Sequence, residues 1–253
     1  MTTLREDQDG PVRILTIDRP AARNAIDPET AEALHDAITR FDADSAASAL
    51  VLTGANGNFC SGADLKAVSG RESFSHDPAG RGPLGPTRLV VNKPMIAAVE
   101  GYAVAGGLEL ALMCDLRVAS TTAVFGVFCR RWGVPLIDGG TIRLPRVIGQ
   151  SRALDMILTG RPVAADEALS FGLANRVVAA GEALAASVAL ARQIAAFPQA
   201  CMRSDRRSAL DQWSLDMPTA LRQEAFLGDR SLHVDGRDGA ARFASGEGRH
   251  GKF

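Results

Sequence analysis

The alternation of apolar and polar positions predicts β-strands in the first half of the chain. Residues 12–18 alternate in the way expected of a half-buried strand. Short apolar runs at 49–54 and 94–99 indicate buried strands, and residues 115–119 predict a further strand. Glycine follows the first two of these runs closely, which favours a turn at the end of each strand.

Helical spacing appears between these strands. Asp27 followed by Pro28 and Glu29 is typical of a helix start, because an Asp side chain can cap the first turn and proline suits it. Residues 108–113 are apolar on every side except at Glu109, which predicts a fully buried helix. Strands that alternate with helices indicate an α/β layer arrangement.

After residue 149 the pattern becomes helical, with predicted helices at 151–158, 164–168, 183–196, 202–213 and 220–226. We therefore divide the chain into a core of residues 1–195 and a C-terminal helical region of residues 196–253. The amphipathic helices of that second region could cover a neighbouring subunit. The glycine and proline content of residues 69–87 predicts that they form a mobile surface segment. The tail 246–253 is expected to be disordered.

Composition narrows the class of protein. The chain has 253 residues, of which 46% are hydrophobic and 23% charged, so a disordered or fibrous chain is excluded. A net charge of −1 argues against nucleic-acid binding. The sequence shows no membrane-spanning apolar run and no signal-peptide pattern, and its four cysteines are scattered. We expect a cytoplasmic protein without a metal site or membrane partner.

Three glycine-containing stretches are candidates for a functional site. In 103–110, Gly106 and Gly107 leave main-chain amides open at a helix start, with Glu109 in the first turn. From this context alone, Glu109 could equally pair with a core arginine or take part in catalysis. The stretch 58–66 offers a second open amide at Gly62 and Ala63.

The third stretch, 136–141, places Asp138 beside two glycines, where it could cap a helix or serve the site. Two open amides together could form an oxyanion hole, in which each donor is typically worth about 2.7–4 kcal/mol of transition-state stabilisation. The dinucleotide, P-loop and serine-hydrolase motifs are absent from the sequence.

The motifs resemble those of the crotonase superfamily, the enoyl-CoA hydratases and isomerases. The similarity runs from about Val12 to Asn175 and rests on five segments in order: IDRPAARNAID, LVLTGANGNFCSGADLK, KPMIAAVEGYAVAGGLELALMCDLRVAS, GGTIRLPRVIG and LTGRPVAADEALSFGLANRVV. The resemblance implies a core of stacked β-β-α units in a spiral and a C-terminal α-helical region used for trimerisation. It also implies a homotrimer, or a hexamer of two trimers.

The resemblance further implies a fatty acyl-CoA thioester as the substrate, so that coenzyme A arrives with the substrate and no separate cofactor is needed. Ala63 and Gly106 match the oxyanion-hole positions, and Glu109 matches the first catalytic glutamate. The residues expected to contact the substrate or its CoA moiety are Arg23, Ser61, Asp64, Leu65, Lys66 and Cys129.

One position departs from the family pattern. Cys129 stands where the hydratases carry a second glutamate, and a thiol, with an ordinary pKa of about 8.5 against about 4.3 for glutamate, is a poor replacement as an acid. Asp138 could supply the missing carboxyl group. Alternatively, it could cap a helix or pair with Arg130, Arg131 or Arg143.

Three functions remain open at this point. The first is a lyase or isomerase in which Glu109 is the acid and base, with weak hydration activity. The second uses Glu109 and Asp138 together for double-bond isomerisation or thioester hydrolysis. The third is a non-catalytic acyl-CoA binder that keeps the oxyanion pocket.

Overall fold

The computed structural model describes residues 3–70, 74 and 77–248. Part of the predicted mobile segment (residues 71–73, 75 and 76) and the end of the predicted disordered tail (249–253) therefore lie outside the described residues. The chain divides into two compact units, Met1–Arg192 and Gln193–Phe253.

Within the described residues, a six-stranded sheet forms the centre of the first unit, in the spatial order β1-β2-β3-β4-β6-β9. Its strands are β1 (Leu4–Asp9), β2 (Val12–Ile17), β3 (Ala49–Gly54), β4 (Met95–Val99), β6 (Leu116–Ser120) and β9 (Arg176–Val178). All neighbours pair in parallel except β1 and β2. β3 and β4 are buried almost throughout, which explains their apolar sequences.

The edge strand β1 was not predicted from the sequence. Its residues are mostly polar and exposed, so the alternation that marks a half-buried strand is missing. The strand forms because Gly10, with a φ of 56°, turns the chain back and lets β1 pair with β2.

A second, three-stranded sheet consists of β5 (Tyr102–Val104), β7 (Val124–Gly126) and β8 (Val163–Ala164), paired in the order β5-β7-β8. β5 follows β4 after a turn at Gly101, which has a φ of 50°. The C-terminal end of β5 leads into the glycine pair at residues 106 and 107. This second sheet thus positions the start of the following helix.

Helices connect and cover the strands of the first unit: α1 (Pro28–Ala43), α2 (Leu65–Ser69), α3 (Gly106–Met113), α4 (Gly140–Ile148), α5 (Gln150–Thr159), α6 (Ala165–Phe171) and α7 (Ala183–Ala195), the last of which ends in the second unit. Asp27 caps α1 as predicted, since its side chain accepts a hydrogen bond from the Thr30 amide. Helix α3 is buried along nearly its whole length, also as predicted. The α/β class expected from the sequence is confirmed.

The second unit is helical. It contains α8 (Gln199–Asp211), α9 (Met217–Ser231), a π-helical turn (Leu232–Gly236) and α10 (Arg237–Ala244). α8 and α9 lie against each other. Within the described ranges of the chain, no helix combines the length and apolar character needed to cross a membrane.

The prediction of a surface segment at 69–87 is wrong for residues 82–87. These six residues are buried, with Leu84 only 1% exposed, and they include a short 3-10 helix, Pro86–Arg88. Gly85 explains how the segment fits, because a Cβ there would lie 1.9 Å from the Ala31 carbonyl oxygen. Glycine and proline here allow close packing rather than mobility.

Candidate active site

The two glycine-containing turns predicted from the sequence lie side by side. The chain at Cys60 forms an isolated parallel bridge with Ala103, in which the Cys60 amide donates to the Tyr102 carbonyl (2.8 Å). A Cβ built on Gly62 would lie 2.8 Å from the Gly106 nitrogen. The stretch 58–66 therefore runs directly against the start of α3.

Glycine at position 107 makes this contact possible. A Cβ at Gly107 would lie 2.0 Å from the Cys60 carbonyl oxygen, so no other residue fits without displacement. The preceding residue, Ala105, has a φ of 53° and a ψ of −125°, a conformation that a residue with a side chain rarely adopts. Such strain is typical of functional sites, where surrounding structure holds it in place.

The amides of Ala63 and Gly106 are open. Neither nitrogen donates a hydrogen bond to any atom of the described residues, and the first bonds of α3 run from Leu108 and Glu109 back to the Ala105 carbonyl. A helix start leaves such donors unpaired by geometry. The fold thus brings together the two amides that the sequence nominated for an oxyanion hole.

Glu109 lies 2% exposed on the first turn of α3. Its Oε1 atom accepts hydrogen bonds from the amides of Asp138 (2.9 Å) and Gly140 (2.8 Å). Its Oε2 atom accepts none from the described residues, and no arginine there forms a salt bridge with it. Glu109 is therefore not paired with a core arginine, which was the structural alternative that the sequence left open.

Burial raises the pKa of Glu109 to about 7, and the negative charge of Asp138 acts in the same direction. The two amide hydrogen bonds and the positive charge of Arg143 oppose the shift. A carboxyl group with a pKa near neutrality can both accept and return a proton at physiological pH. Gly140 permits the arrangement, since a Cβ there would lie 2.9 Å from the Glu109 side chain.

A cavity of about 790 Å³ opens beside these groups, and Ala63, Gly106, Glu109, Cys129 and Asp138 all contribute to its wall. The rest of the lining is largely apolar and includes four aromatic side chains that sequence reasoning missed: Phe74, Tyr102, Phe128 and Trp132. Their spacing along the chain carries no recognisable signal, because each comes from a different loop or element end.

The residues predicted to contact the CoA moiety divide into two groups. Arg23, Ser61 and Leu65 line the cavity, whereas Asp64 and Lys66 do not. The Arg23 guanidinium lies over the Tyr102 ring, 5.6 Å from its centroid.

Asp64 has structural partners instead. Its Oδ2 atom lies 3.1 Å from Arg19 Nη2, and its Oδ1 atom accepts the Lys66 amide at 3.0 Å, which caps α2. The Lys66 side chain is exposed. Asp64 therefore contacts other residues of this chain and Lys66 contacts solvent, and neither lines the cavity.

Cys129 lies in the 3-10 helix Phe128–Trp132 and is buried apart from its cavity face. Burial and the nearby Glu109 carboxylate both raise the pKa of its thiol. The group is therefore a neutral thiol at physiological pH, which makes it a weak nucleophile and a weak acid.

Asp138 does not cap α4, because Gly139 occupies the cap position and no side chain contributes a hydrogen bond there. Nor does its carboxylate form a salt bridge with Arg130, Arg131 or Arg143 within the described residues. Instead, Oδ1 accepts hydrogen bonds from the Leu84 amide (3.0 Å) and the Thr87 hydroxyl. Burial raises the pKa of this carboxyl group. Both structural alternatives considered for Asp138 from the sequence are therefore wrong.

No group of three or more His, Cys, Asp or Glu side chains in the described part of the chain is arranged to hold a metal ion.

Comparison with known proteins points to one family. Residues 7–250 match the family model described as enoyl-CoA hydratase/isomerase. A probable enoyl-CoA hydratase from Rhizobium meliloti (strain 1021) is 44% identical over 168 residues, which cover 66% of this chain and 65% of that protein. The carnitinyl-CoA dehydratase of Salmonella arizonae is 41% identical over 169 residues, 66% of this chain and 64% of that protein. The chain thus spans slightly less than two thirds of these relatives' length.

The fold agrees with this match. The crystal structure of an enoyl-CoA hydratase from Mycobacterium tuberculosis H37Rv superposes with a TM-score of 0.91 at 36% identity, over 96% of both chains. An enoyl-CoA hydratase from Mycobacterium marinum gives a TM-score of 0.90, also at 36% identity and over 96% of both chains. The chain therefore belongs to the enoyl-CoA hydratase/isomerase family of the crotonase superfamily.

Proposed function

We propose that the protein acts on a 2-enoyl-CoA thioester through an enolate intermediate, with Glu109 as its one catalytic acid and base. One observation carries the proposal: two open amides, at Ala63 and Gly106, lie on the same cavity wall as a buried carboxyl group. Unpaired main-chain donors aimed at a cavity suit a carbonyl oxygen that gains negative charge during reaction.

The amides would stabilise the thioester oxygen as it becomes an enolate oxygen. Each such donor typically contributes about 2.7–4 kcal/mol to transition-state stabilisation. Because α3 begins at Gly106, the positive end of its dipole adds to the effect. Remote binding of the CoA moiety, near Arg23, Ser61 and Leu65, would hold the carbonyl between the two donors.

The proton chemistry falls to Glu109. Its Oε2 atom removes a proton from a water molecule, the oxygen of that water bonds to C3, and the C2–C3 π electrons move to form the enolate. Glu109 then returns the proton to C2 as the enolate collapses to the thioester, so that the sum is addition of water. A single carboxyl group must make both transfers, since the Cys129 thiol holds its proton too tightly to share them. We therefore expect hydration to be slow.

A panel of acyl-CoA thioesters, including crotonyl-CoA and longer 2-enoyl-CoAs, tests this proposal in the purified protein. Products are assigned by mass: hydration adds one water, isomerisation leaves the mass unchanged, and hydrolysis releases free CoA. Glu109→Gln should lower turnover by about 10²–10⁴-fold, the usual contribution of a positioned acid or base. Turnover that survives this substitution unchanged would contradict the role of Glu109. Acyl-CoA binding without turnover across the panel would indicate a binding protein instead.

The Cys129 position allows a complementary gain of activity. Cys129→Glu places a second carboxyl group on the cavity wall beside Glu109, so crotonyl-CoA hydration should rise by at least about tenfold. Cys129→Ser is the matched control, since it changes the thiol without adding an acid, and should leave the rate within about threefold of wild type. Equal rates in the two variants would show that the missing carboxyl group does not limit hydration.

A second candidate is isomerisation or thioester hydrolysis in which Glu109 and Asp138 share the proton transfers. The observation in its favour is that both carboxyl groups lie on the wall of one cavity. Asp138→Asn then separates the candidates, because a loss of isomerised or hydrolysed product equal to that in Glu109→Gln would favour shared transfer.

A further inference from the structure

We propose that Asp138 is a positioning residue that couples the buried segment 82–87 to Glu109 and so sets the geometry of the oxyanion hole and the base together. The inference rests on the proposed function and assigns Asp138 a role other than proton transfer.

The coupling is formed by two groups of Asp138, its side-chain carboxylate and its main-chain amide. The Asp138 carboxylate accepts the Leu84 amide at 3.0 Å and the Thr87 hydroxyl, both through Oδ1. The Asp138 amide donates to Glu109 Oε1 at 2.9 Å. A displacement of the segment 82–87 is therefore transmitted through one residue to the carboxyl group of Glu109.

Arg143 reinforces the same connection from outside the cavity. Its Nη1 atom donates to the Asp138 carbonyl at 3.0 Å, and its Nη2 atom donates to the Thr87 carbonyl at 2.7 Å. Gly82 completes the packing, since a Cβ there would lie 1.9 Å from Thr87 Oγ1 and 2.6 Å from Asp138 Oδ1. The contact between Thr87 and Asp138 thus has little freedom to move.

The segment held in this way reaches the oxyanion donors. Leu84 Cδ1 lies 2.3 Å from the point where a Cβ on Gly106 would be, so the leucine side chain packs directly over the Gly106 backbone. Both Leu84 and Gly106 line the cavity. Asp138 consequently determines where Leu84 sits above one oxyanion donor and how Glu109 is oriented beside it.

The hydrogen bonds of Asp138 are those of a fixed carboxylate. Burial raises the pKa of the Asp138 carboxyl group, and the two donors that converge on its single oxygen atom oppose this shift. The charged groups that act on Asp138 are Arg88 and Arg143, and those that act on Glu109 are Asp138 and Arg143, with the neutral Cys129 thiol nearby. A carboxyl group held by two donors at one oxygen atom is suited to orient its neighbours rather than to transfer a proton.

Four variants test the proposal: Asp138→Asn, Asp138→Ala, Thr87→Val and its control Thr87→Ser. Asparagine keeps an oxygen that can accept both hydrogen bonds, so Asp138→Asn should retain kcat within about fivefold, as positioning by hydrogen bonds predicts. Asp138→Ala and Thr87→Val should lower kcat by roughly tenfold to a hundredfold, the usual effect of a small misplacement of a catalytic group. KM should change by less than about threefold, because substrate contacts remain. Thr87→Ser, which keeps the hydroxyl, should behave as wild type.

A titration of Glu109 gives a readout that does not depend on turnover. The carboxyl pKa is measured by NMR on protein labelled with carbon-13 at the glutamate side chain, with Glu109→Gln identifying the signal. Asp138→Asn removes a negative charge and keeps the hydrogen bonds, so the Glu109 pKa should fall. Thr87→Val keeps the charge but loosens the amide hydrogen bonds to Glu109, so the pKa should rise. Thr87→Ser should leave it unchanged.

These outcomes distinguish the two proposals. If Asp138→Asn is as inactive as Glu109→Gln, Asp138 transfers a proton and the positioning role is wrong. If the wild-type protein turns over no thioester, the proposed function fails, whereas the titration still decides the coupling. If the pKa of Glu109 is unchanged in both Asp138→Asn and Thr87→Val, or shifts in the same direction in both, the proposed coupling through Asp138 is overturned.

Discussion

At the scale of single residues, Glu109 combines a cost in stability with a proposed catalytic role. Its pKa is about 7 in the folded protein, against 4.5 for an unperturbed side chain. The folded state therefore binds more protons than the unfolded state between these two values, so its stability falls as the pH rises through this window. A buried carboxyl group whose hydrogen bonds do not offset the cost of its burial is typical of functional sites, which agrees with the catalytic role proposed for Glu109.

The pH dependence of Glu109 is directly measurable. Turnover of a 2-enoyl-CoA should decline below pH 7, because the carboxylate form must accept the proton of water. Glu109→Gln should also increase the free energy of unfolding more at pH 8 than at pH 4.5, by on the order of 3 kcal/mol. This figure follows because a difference of one in pKa corresponds to about 1.4 kcal/mol. Urea unfolding of both proteins at the two pH values measures this difference. An equal stability difference at both pH values would show that Glu109 titrates normally.

At the scale of elements, the start of α1 supports the oxyanion loop. Ile26, one residue before the helix cap, forms an isolated parallel bridge with Ala63: its amide donates to the Gly62 carbonyl and its carbonyl accepts the Asp64 amide, both at 2.8 Å. Asp27 caps α1 and lies 2.7 Å from Arg19, which also pairs with Asp64. The beginning of α1 and the strand-like backbone at Ala63 therefore form one hydrogen-bonded unit.

Removal of the α1 cap should lower the free energy of unfolding. Asp27→Ala loses the hydrogen bonds to Thr30 and the ion pair with Arg19, and we expect a destabilisation of about 1–2 kcal/mol. Asp27→Asn is the matched control, because asparagine is an equally good cap, and it should cost less than about half as much. Urea unfolding monitored by circular dichroism gives both values. A loss in Asp27→Asn equal to that in Asp27→Ala would assign the effect to the ion pair instead.

At the scale of the whole molecule, the second unit leaves large apolar side chains uncovered. Leu221, Phe226 and Phe243 are all exposed on its helices, together with Trp213, Met217 and Val234. Exposed apolar surface of this extent is typical of a protein–protein contact. We propose that further copies of this chain cover it, as the resemblance that implies a homotrimer or a hexamer predicts.

Light scattering tests this assembly. We expect a mass of three or six times the 26.6 kDa of one chain. Replacement of both Leu221 and Phe226 by aspartate should shift the mass toward one chain, because burying a carboxylate at an apolar contact is costly. Glu224→Gln, at an exposed position of the same helix, should leave the mass unchanged. A single-chain mass for the wild-type protein would contradict the prediction.

Much of the fold could be predicted because buried strands and helices have apolar sequences that can be recognised along the chain. The apolar runs of β3 and β4, the Asp-Pro start of α1 and α3, which is apolar except at Glu109, were each recognisable. β1 was not, since a polar edge strand lacks the alternation on which the prediction depends. The segment 82–87 was misassigned for the opposite reason, because glycine and proline indicate irregular backbone but not whether that backbone is buried.

Residue types and their spacing predicted the α/β class, and the resemblance of the sequence motifs to the crotonase superfamily gave the family and implied that Ala63, Gly106 and Glu109 form one site. Only the tertiary structure decided what Asp138 contacts, that Asp64 and Lys66 lie away from the cavity, and which aromatic side chains line it. The reason is that local propensity and burial act on neighbouring positions in the chain, whereas these contacts join residues as far as 54 positions apart. Such contacts depend on how the elements pack, and packing has no local pattern.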